Sequence, residues 1–218
     1  MREAFHDQLD GIFHDLAAIC GQVERAVHAA TESLLSGDAA TAEQVISADV
    51  EIDQARERVE ETAFSVLSLQ QPVAGDLRVV VSALRMVSEL ERMGDLSVHV
   101  AKIARLRVPD IAVPDQVLPV VERMAEVAED MVRRVRAVII DRDVDAAIAL
   151  GRDDEVMDQL RRRSFALVLS DEWNEGVEAA VDIALLGRYY ERIADHAVSV
   201  ANRVVFVVTG EQPARVDA

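Results

Sequence analysis

Aromatic side chains are scarce: one Trp, two Tyr and five Phe among 218 residues. Proline and glycine are few as well, at five and nine. A sandwich or barrel needs aromatic, β-branched strands cut by frequent turn residues, so this composition argues against one. Cysteine occurs once, at Cys20, so no intramolecular disulfide can form and a reducing compartment is expected. No uninterrupted apolar run approaches the ~20 residues of a membrane-spanning helix. The N-terminal MREAFHDQLDG lacks the apolar centre of a signal peptide. Any membrane role is therefore expected to run through a partner, without direct insertion. Positive charge is also in short supply, with 23 Lys and Arg against 40 Asp and Glu, a net of -17. That balance disfavours sequence-independent contact with nucleic acid or anionic lipid, and suits basic protein partners or cations.

What is present is half hydrophobic and spaced for helices. Helix one is predicted from about Glu3, where Phe5, Leu9, Ile12, Leu16, Ile19, Val23 and Ala26 alternate spacings of four and three. Gly37 stops it and Asp38 caps the next. Helix two runs from about Ala39 to Leu69 and ends at Gln71-Pro72, since proline cannot continue the backbone ladder. Helix three covers about Ala74 to Leu106. Pro109, Pro114 and Pro119 then make the strongest break in the chain, and the domain boundary falls there, between 1–108 and 115–209. Helix four is predicted over about Asp115 to Ile140 and helix five over about Asp143 to Leu169. Helix six ends near Val208, after a turn at residues 170–176 in which Trp173 reads as a packing anchor. Residues 210–218 read as a flexible tail.

The chain repeats itself. Glu91-Arg92-Met93-Gly94-Asp95 returns as Glu191-Arg192-Ile193-Ala194-Asp195, 100 residues later. Val98, Val100 and Ala101 match Val198, Val200 and Ala201 at the same offset. The stretch from Gly37 aligns with the stretch from Arg142 at an offset of 105, bringing Asp49 onto Asp154, Asp53 onto Asp158 and Arg56 onto Arg161. A period this long is a duplication rather than a solenoid. The expected fold is all-α, with two tandem, duplicated antiparallel three-helix bundles built from six long helices.

The duplication yields four carboxylate pairs at helical spacing: Asp49/Asp53, Glu91/Asp95, Asp154/Asp158 and Glu191/Asp195. Residues four apart share a helix face, and like charges there oppose folding by ~0.2–0.5 kcal/mol per pair. Recurrence at matched points suggests something positive between them. Neighbouring helices two and three would offer up to eight oxygens. The metal cations to consider are Mg, Mn, Fe or Zn, with hard, oxygen-seeking ions favoured over a thiolate-type zinc site. The simpler alternative is an ordinary solvated or salt-bridged face, with Arg56, Arg92, Arg161 and Arg192 close by. His99, one turn beyond Asp95, and His196 read as lone surface histidines, because neither copy carries the Glu-x-x-His of ferritin-like di-iron proteins. Met86, Met93, Met124 and Met131 read as core. No Gly-rich phosphate loop, nucleophile context or basic aromatic groove stands out.

Taken in order, three runs together resemble the PhoU family of phosphate-signalling regulators across nearly the whole chain. They are QPVAGDLR from Gln71, Glu91 to Asp95, and Glu191-Arg192-Ile193-Ala194-Asp195-His196. The paired helix-two carboxylates complete the resemblance. It implies two similar three-helix bundles in a cytoplasmic protein, peripheral to the membrane through its partners. It implies a non-catalytic negative regulator linking the ATPase subunit of the phosphate ABC transporter to a sensor histidine kinase. Family members with metal clusters use paired acidic motifs that correspond to the four pairs above. A homodimer is compatible with this reading. Two rivals remain: a carboxylate-bridged metal enzyme or store, and a purely structural scaffold. The second copy departs from the first at Ala194 for Gly94, and lacks the Gln-Pro-Val-Ala lead-in.

Overall fold

The computed structural model describes the backbone of residues 2–211 and the side chains of 7–151 and 155–211. Six α-helices run in sequence: α1 Arg2–Ser36, α2 Ala39–Gln70, α3 Ala74–Arg107, α4 Leu118–Asp141, α5 Val144–Val168 and α6 Gly176–Thr209. No strand occurs among the described residues. The predicted all-α architecture is the observed one. Most of the predicted tail, 212–218, lies outside the described residues.

Local chemistry sets the helix ends. Gly37 adopts φ +69 and closes α1, a conformation that costs glycine little. Asp38 caps α2, its carboxylate accepting from Ala40 N at 2.9 Å and Thr41 N at 3.3 Å. α2 ends where Gln71 turns left-handed before Pro72. The fourth helix starts at Leu118, not Asp115 as predicted: residues 115–117 form a turn in which Val117 N donates to the Pro114 carbonyl at 3.0 Å. Pro119 then sits in the first helical turn, where its missing N–H has no partner to lose. Trp173 is the expected anchor, packed on the core with Nε1 donating to the Gly176 carbonyl at 2.9 Å.

The two predicted three-helix bundles are present, α1–α2–α3 and α4–α5–α6, and they pack on one another through α1 against α4 and α3 against α6. α1, α3, α6 and α4 form a ring, each touching the next, while α2 packs on α1 and α3 and α5 packs on α4 and α6. The main core cluster draws residues from all six helices and includes the four predicted methionines. At its centre the Tyr190 and Thr31 hydroxyls meet at 2.9 Å. Cys20 is fully enclosed, and burial pushes its thiol up to about 12.

Across the ring the two halves meet antiparallel. At one end Arg78 donates to the Val207 carbonyl, at 3.1 Å from Nη2. At the other, Arg107 donates to Asp182 at 2.5 Å and pairs with Glu178. The His99 and Tyr189 rings stack between these ends, 5.2 Å apart. Shifting each residue by 100 exchanges 78/207 with 178/107, so the repeats face one another as the subunits of a two-fold dimer would. The exposure pattern of 81–90 recurs unchanged at 181–190. α1 and α4 also run antiparallel, pairing His28 with Glu129, Glu24 with Arg136 and Asp10 with Arg142.

Candidate functional site

Each carboxylate face lies where an outer helix packs on a ring helix, α2 on α3 and α5 on α6. α2 and α3 are antiparallel, as the Glu43–Arg105 ion pair at their far ends shows (2.6 Å). They approach closely because position 94 is glycine: a Cβ there would lie 3.0 Å from Ile52 Cδ1 and 3.5 Å from Asp49 Oδ1. The close approach sets Asp49 beside Asp95. Burial, and then the charges of Asp95 and Asp53, raise the Asp49 carboxyl above its ordinary value. Glu91 is raised in the same way, first by burial and then by Asp95, with Arg92 and Arg56 opposing. All four predicted residues of the first half, Asp49, Asp53, Glu91 and Asp95, thus share one electrostatic neighbourhood.

Its nearby cations offset this charge only in part: Lys102 lowers Asp49, whose carboxyl stays raised. Arg92 lies along the outside, 3.0 Å from Asp95 and 3.6 Å from Glu91, with 57% of its side chain exposed. Arg56 turns away and grips Glu60 through both oxygens, at 2.9 and 3.0 Å.

The second half is built differently. Glu191 is 9% exposed and carries two guanidiniums: Arg161 donates to Oε1 at 2.8 Å, and Arg188 pairs with Oε2. Burial, and then the Glu191 charge, raise Asp195, while Arg188 and His196 pull it down and Asp158 pushes it up. Glu191, Asp195 and Asp158 are therefore brought together. The side chain of Asp154 lies outside the described residues.

The histidines sit differently from their predicted places. His99 is exposed, as expected, but stacked on Tyr189. His196 is not a surface histidine: only 17% of its side chain is exposed, and Nδ1 lies 2.6 Å from Glu89 Oε2 of α3. Its helical face points into the α3–α6 contact between halves, which a reading of one helix at a time does not show. That Glu89–His196 pair and the Arg107–Asp182 pair were not singled out from sequence, because each joins residues more than 70 positions apart.

Whether these faces fit a metal ion can be tested on the donor geometry. Among the described residues, no three Asp, Glu, His or Cys side chains converge as one ion requires. In the second half the space beside Glu191 is occupied by guanidinium instead. Among the described residues, the carboxylates as they stand do not form a ready metal cradle.

The duplicated architecture has known counterparts. The PhoU domain family model matches twice, over residues 16–104 and 121–204, once in each half of the ring. The chain belongs to the PhoU family. It is 46% identical over 213 residues to the phosphate-specific transport system accessory protein PhoU homolog 2 of Mycobacterium bovis, covering 98% of this chain and 100% of that protein. Identity is 35% to the PhoU homolog of Deinococcus radiodurans, over 97% and 100% of the two chains. Among solved structures, the phosphate transport system regulatory protein PhoU from Streptococcus pneumoniae superposes with a TM-score of 0.87 at 25% identity, over 98% of this chain and 100% of that one. PhoU from Pseudomonas aeruginosa gives 0.86 at 27% identity, over 95% and 100%. In both PhoU domains the acidic faces lie where an outer helix, α2 or α5, packs on a ring helix, α3 or α6.

Proposed function

We propose that this chain is a non-catalytic adaptor that represses the phosphate-starvation response when phosphate is plentiful. It does so by coupling the ATPase subunit of the phosphate ABC transporter to a sensor histidine kinase. The observation that carries this reading is full-length similarity: both halves match the family, and relatives named as transport-system accessory proteins cover the same length of chain. The geometry supports an adaptor. The helices enclose a side-chain core, and among the acidic pairs Asp158 and Asp195 are exposed and those of the first half partly so, while Glu191 is buried. None of the described helices is long and apolar enough to cross a membrane, so the proposed site of action is the cytoplasmic face, reached through those partners. A net charge of -17 suits basic partner surfaces, and such contacts weaken as salt shortens the Debye length from ~10 Å at 0.1 M to ~3 Å at 1 M. The test is a clean deletion in a strain with no second copy, grown in phosphate-rich medium. Starvation-gene reporter expression and phosphate uptake should both rise. Unchanged expression would remove the adaptor reading.

A further inference from the structure

The two carboxylate faces come from one duplication, yet their charge is handled in opposite ways. Arg56 and Arg161 occupy equivalent positions, and in each the Nε is buried without a hydrogen-bond partner. They differ in where the outer nitrogens reach. Arg56 is held by Glu60, one turn on along its own helix. At the matching position, 105 residues later, stands Phe165. It offers no carboxylate, only a ring face, and the Arg161 guanidinium sits 5.6 Å from the ring centroid. Arg161 is therefore free to cross to α6 and bind Glu191. A second difference acts in the same direction. Arg188, one turn before Glu191, pairs with it, whereas the matching residue of the first half is Ser88.

We infer that Arg161 and Arg188 are built-in counter-ions that close the second carboxylate face to external cations, and that residue 165, matched by residue 60, decides whether the arginine serves its own helix or the face. The first face lacks both devices, and its cations are the exposed Arg92, paired with Asp95 and Glu91, and Lys102, whose charge acts on Asp49. Two like carboxylates on one helix face oppose folding unless something positive joins them. A planar guanidinium satisfies a buried carboxylate with directed hydrogen bonds and cannot lose its proton in the physiological range. Glu191, the buried centre of the second face, is thus neutralised permanently, by covalently attached groups. This inference concerns electrostatics within the chain and stands apart from the regulatory reading.

Double-mutant cycles on the full chain, read by urea unfolding in chelator, test it first. Arg161→Gln with Glu191→Gln should show coupling of about fivefold or more in the unfolding constant, and Arg56→Gln with Glu91→Gln clearly less. Phe165→Glu keeps both arginines and should weaken the Arg161–Glu191 coupling. Glu60→Phe should strengthen the Arg56–Glu91 coupling. The second measurement is thermal unfolding with and without Mn. Arg161→Gln/Arg188→Ser, which gives the second half the first half's lack of these two counter-ions, should gain an Mn-dependent rise in Tm of about 2–4 °C over wild type. Equal coupling in the two halves, indifference of the Arg161–Glu191 coupling to Phe165→Glu, or the same Mn effect in wild type and double variant, nil included, would each overturn it.

Discussion

Asp49 and Glu91 hold their charge where burial and like-charged neighbours oppose it. Both carboxyls are raised above their ordinary values of 3.8 and 4.5. A raised acid is a group that the folded state prefers protonated, so the fold binds more protons than the unfolded chain in that range. Stability is then lost as pH rises from the ordinary value through the raised one, and regained on acidification. Asp49→Asn with Glu91→Gln, in chelator, should stabilise the chain at pH 7 by about 0.5 kcal/mol, the scale of a like-charge helix pair. The gain should shrink towards zero as pH falls into the ordinary carboxylate range. Denaturant unfolding across pH reads this directly, and a gain that grows on acidification would contradict it. The carboxylates themselves were legible from sequence, because four-residue spacing and a constant offset fix face and equivalence. Their counter-ions were not. Arg56 and Arg161 align residue for residue, and their targets depend on Glu60 and Phe165, a difference that is visible in sequence but has meaning only once α6 is known to lie within reach.

Among the helix pairs, the α2–α3 contact shows what one missing side chain does. Gly94 lets Ile52 Cδ1 come within 3.0 Å of where a Cβ would stand. The second copy places Ala194 there, and the residue that matches Ile52 at the 105-residue offset is the more adaptable Met157. Gly94→Ala alone sets a helix-propensity gain of about 1 kcal/mol against crowding of 1–3 kcal/mol, roughly the cost of overpacking, and should destabilise or be neutral. In an Ile52→Val background the Cδ1 is gone, and the same Gly94→Ala should become stabilising by up to about 1 kcal/mol. Urea unfolding of the four variants measures the change of sign. No change would mean that Ile52 does not set the approach of α2. Helix identity was readable at this scale because the apolar spacing is regular over 24 to 35 residues per helix. The start of α4 was misplaced by three residues because a proline-rich stretch can begin a helix only where its ring fits the first turn, and both Pro114 and Pro119 offered that place.

For the molecule as a whole, duplication produced more than two copies of a bundle. The repeats meet around an approximate two-fold axis, so α3 and α6 share a face and the main core runs through all six helices. Periodicity shows that each helix has an apolar stripe. It does not show which helix covers it, and the partnership of α1 with α4 and of α3 with α6 became visible only in three dimensions. Function follows the same division. The duplicated acidic motifs and the Gln71 to Arg78 run pointed to the family, while the inequality of the two faces is a matter of geometry. The central claim, that the chain is an accessory partner of phosphate transport, is tested most directly by affinity capture of the tagged chain from cells grown with ample phosphate, followed by identification of the bound proteins. The account predicts that the ATPase subunit of the phosphate transporter is retained at low salt, is released as salt rises, and is absent from a control with an unrelated acidic protein. Recovery of the chain without that ATPase, from cells in which the transporter is present, would contradict it.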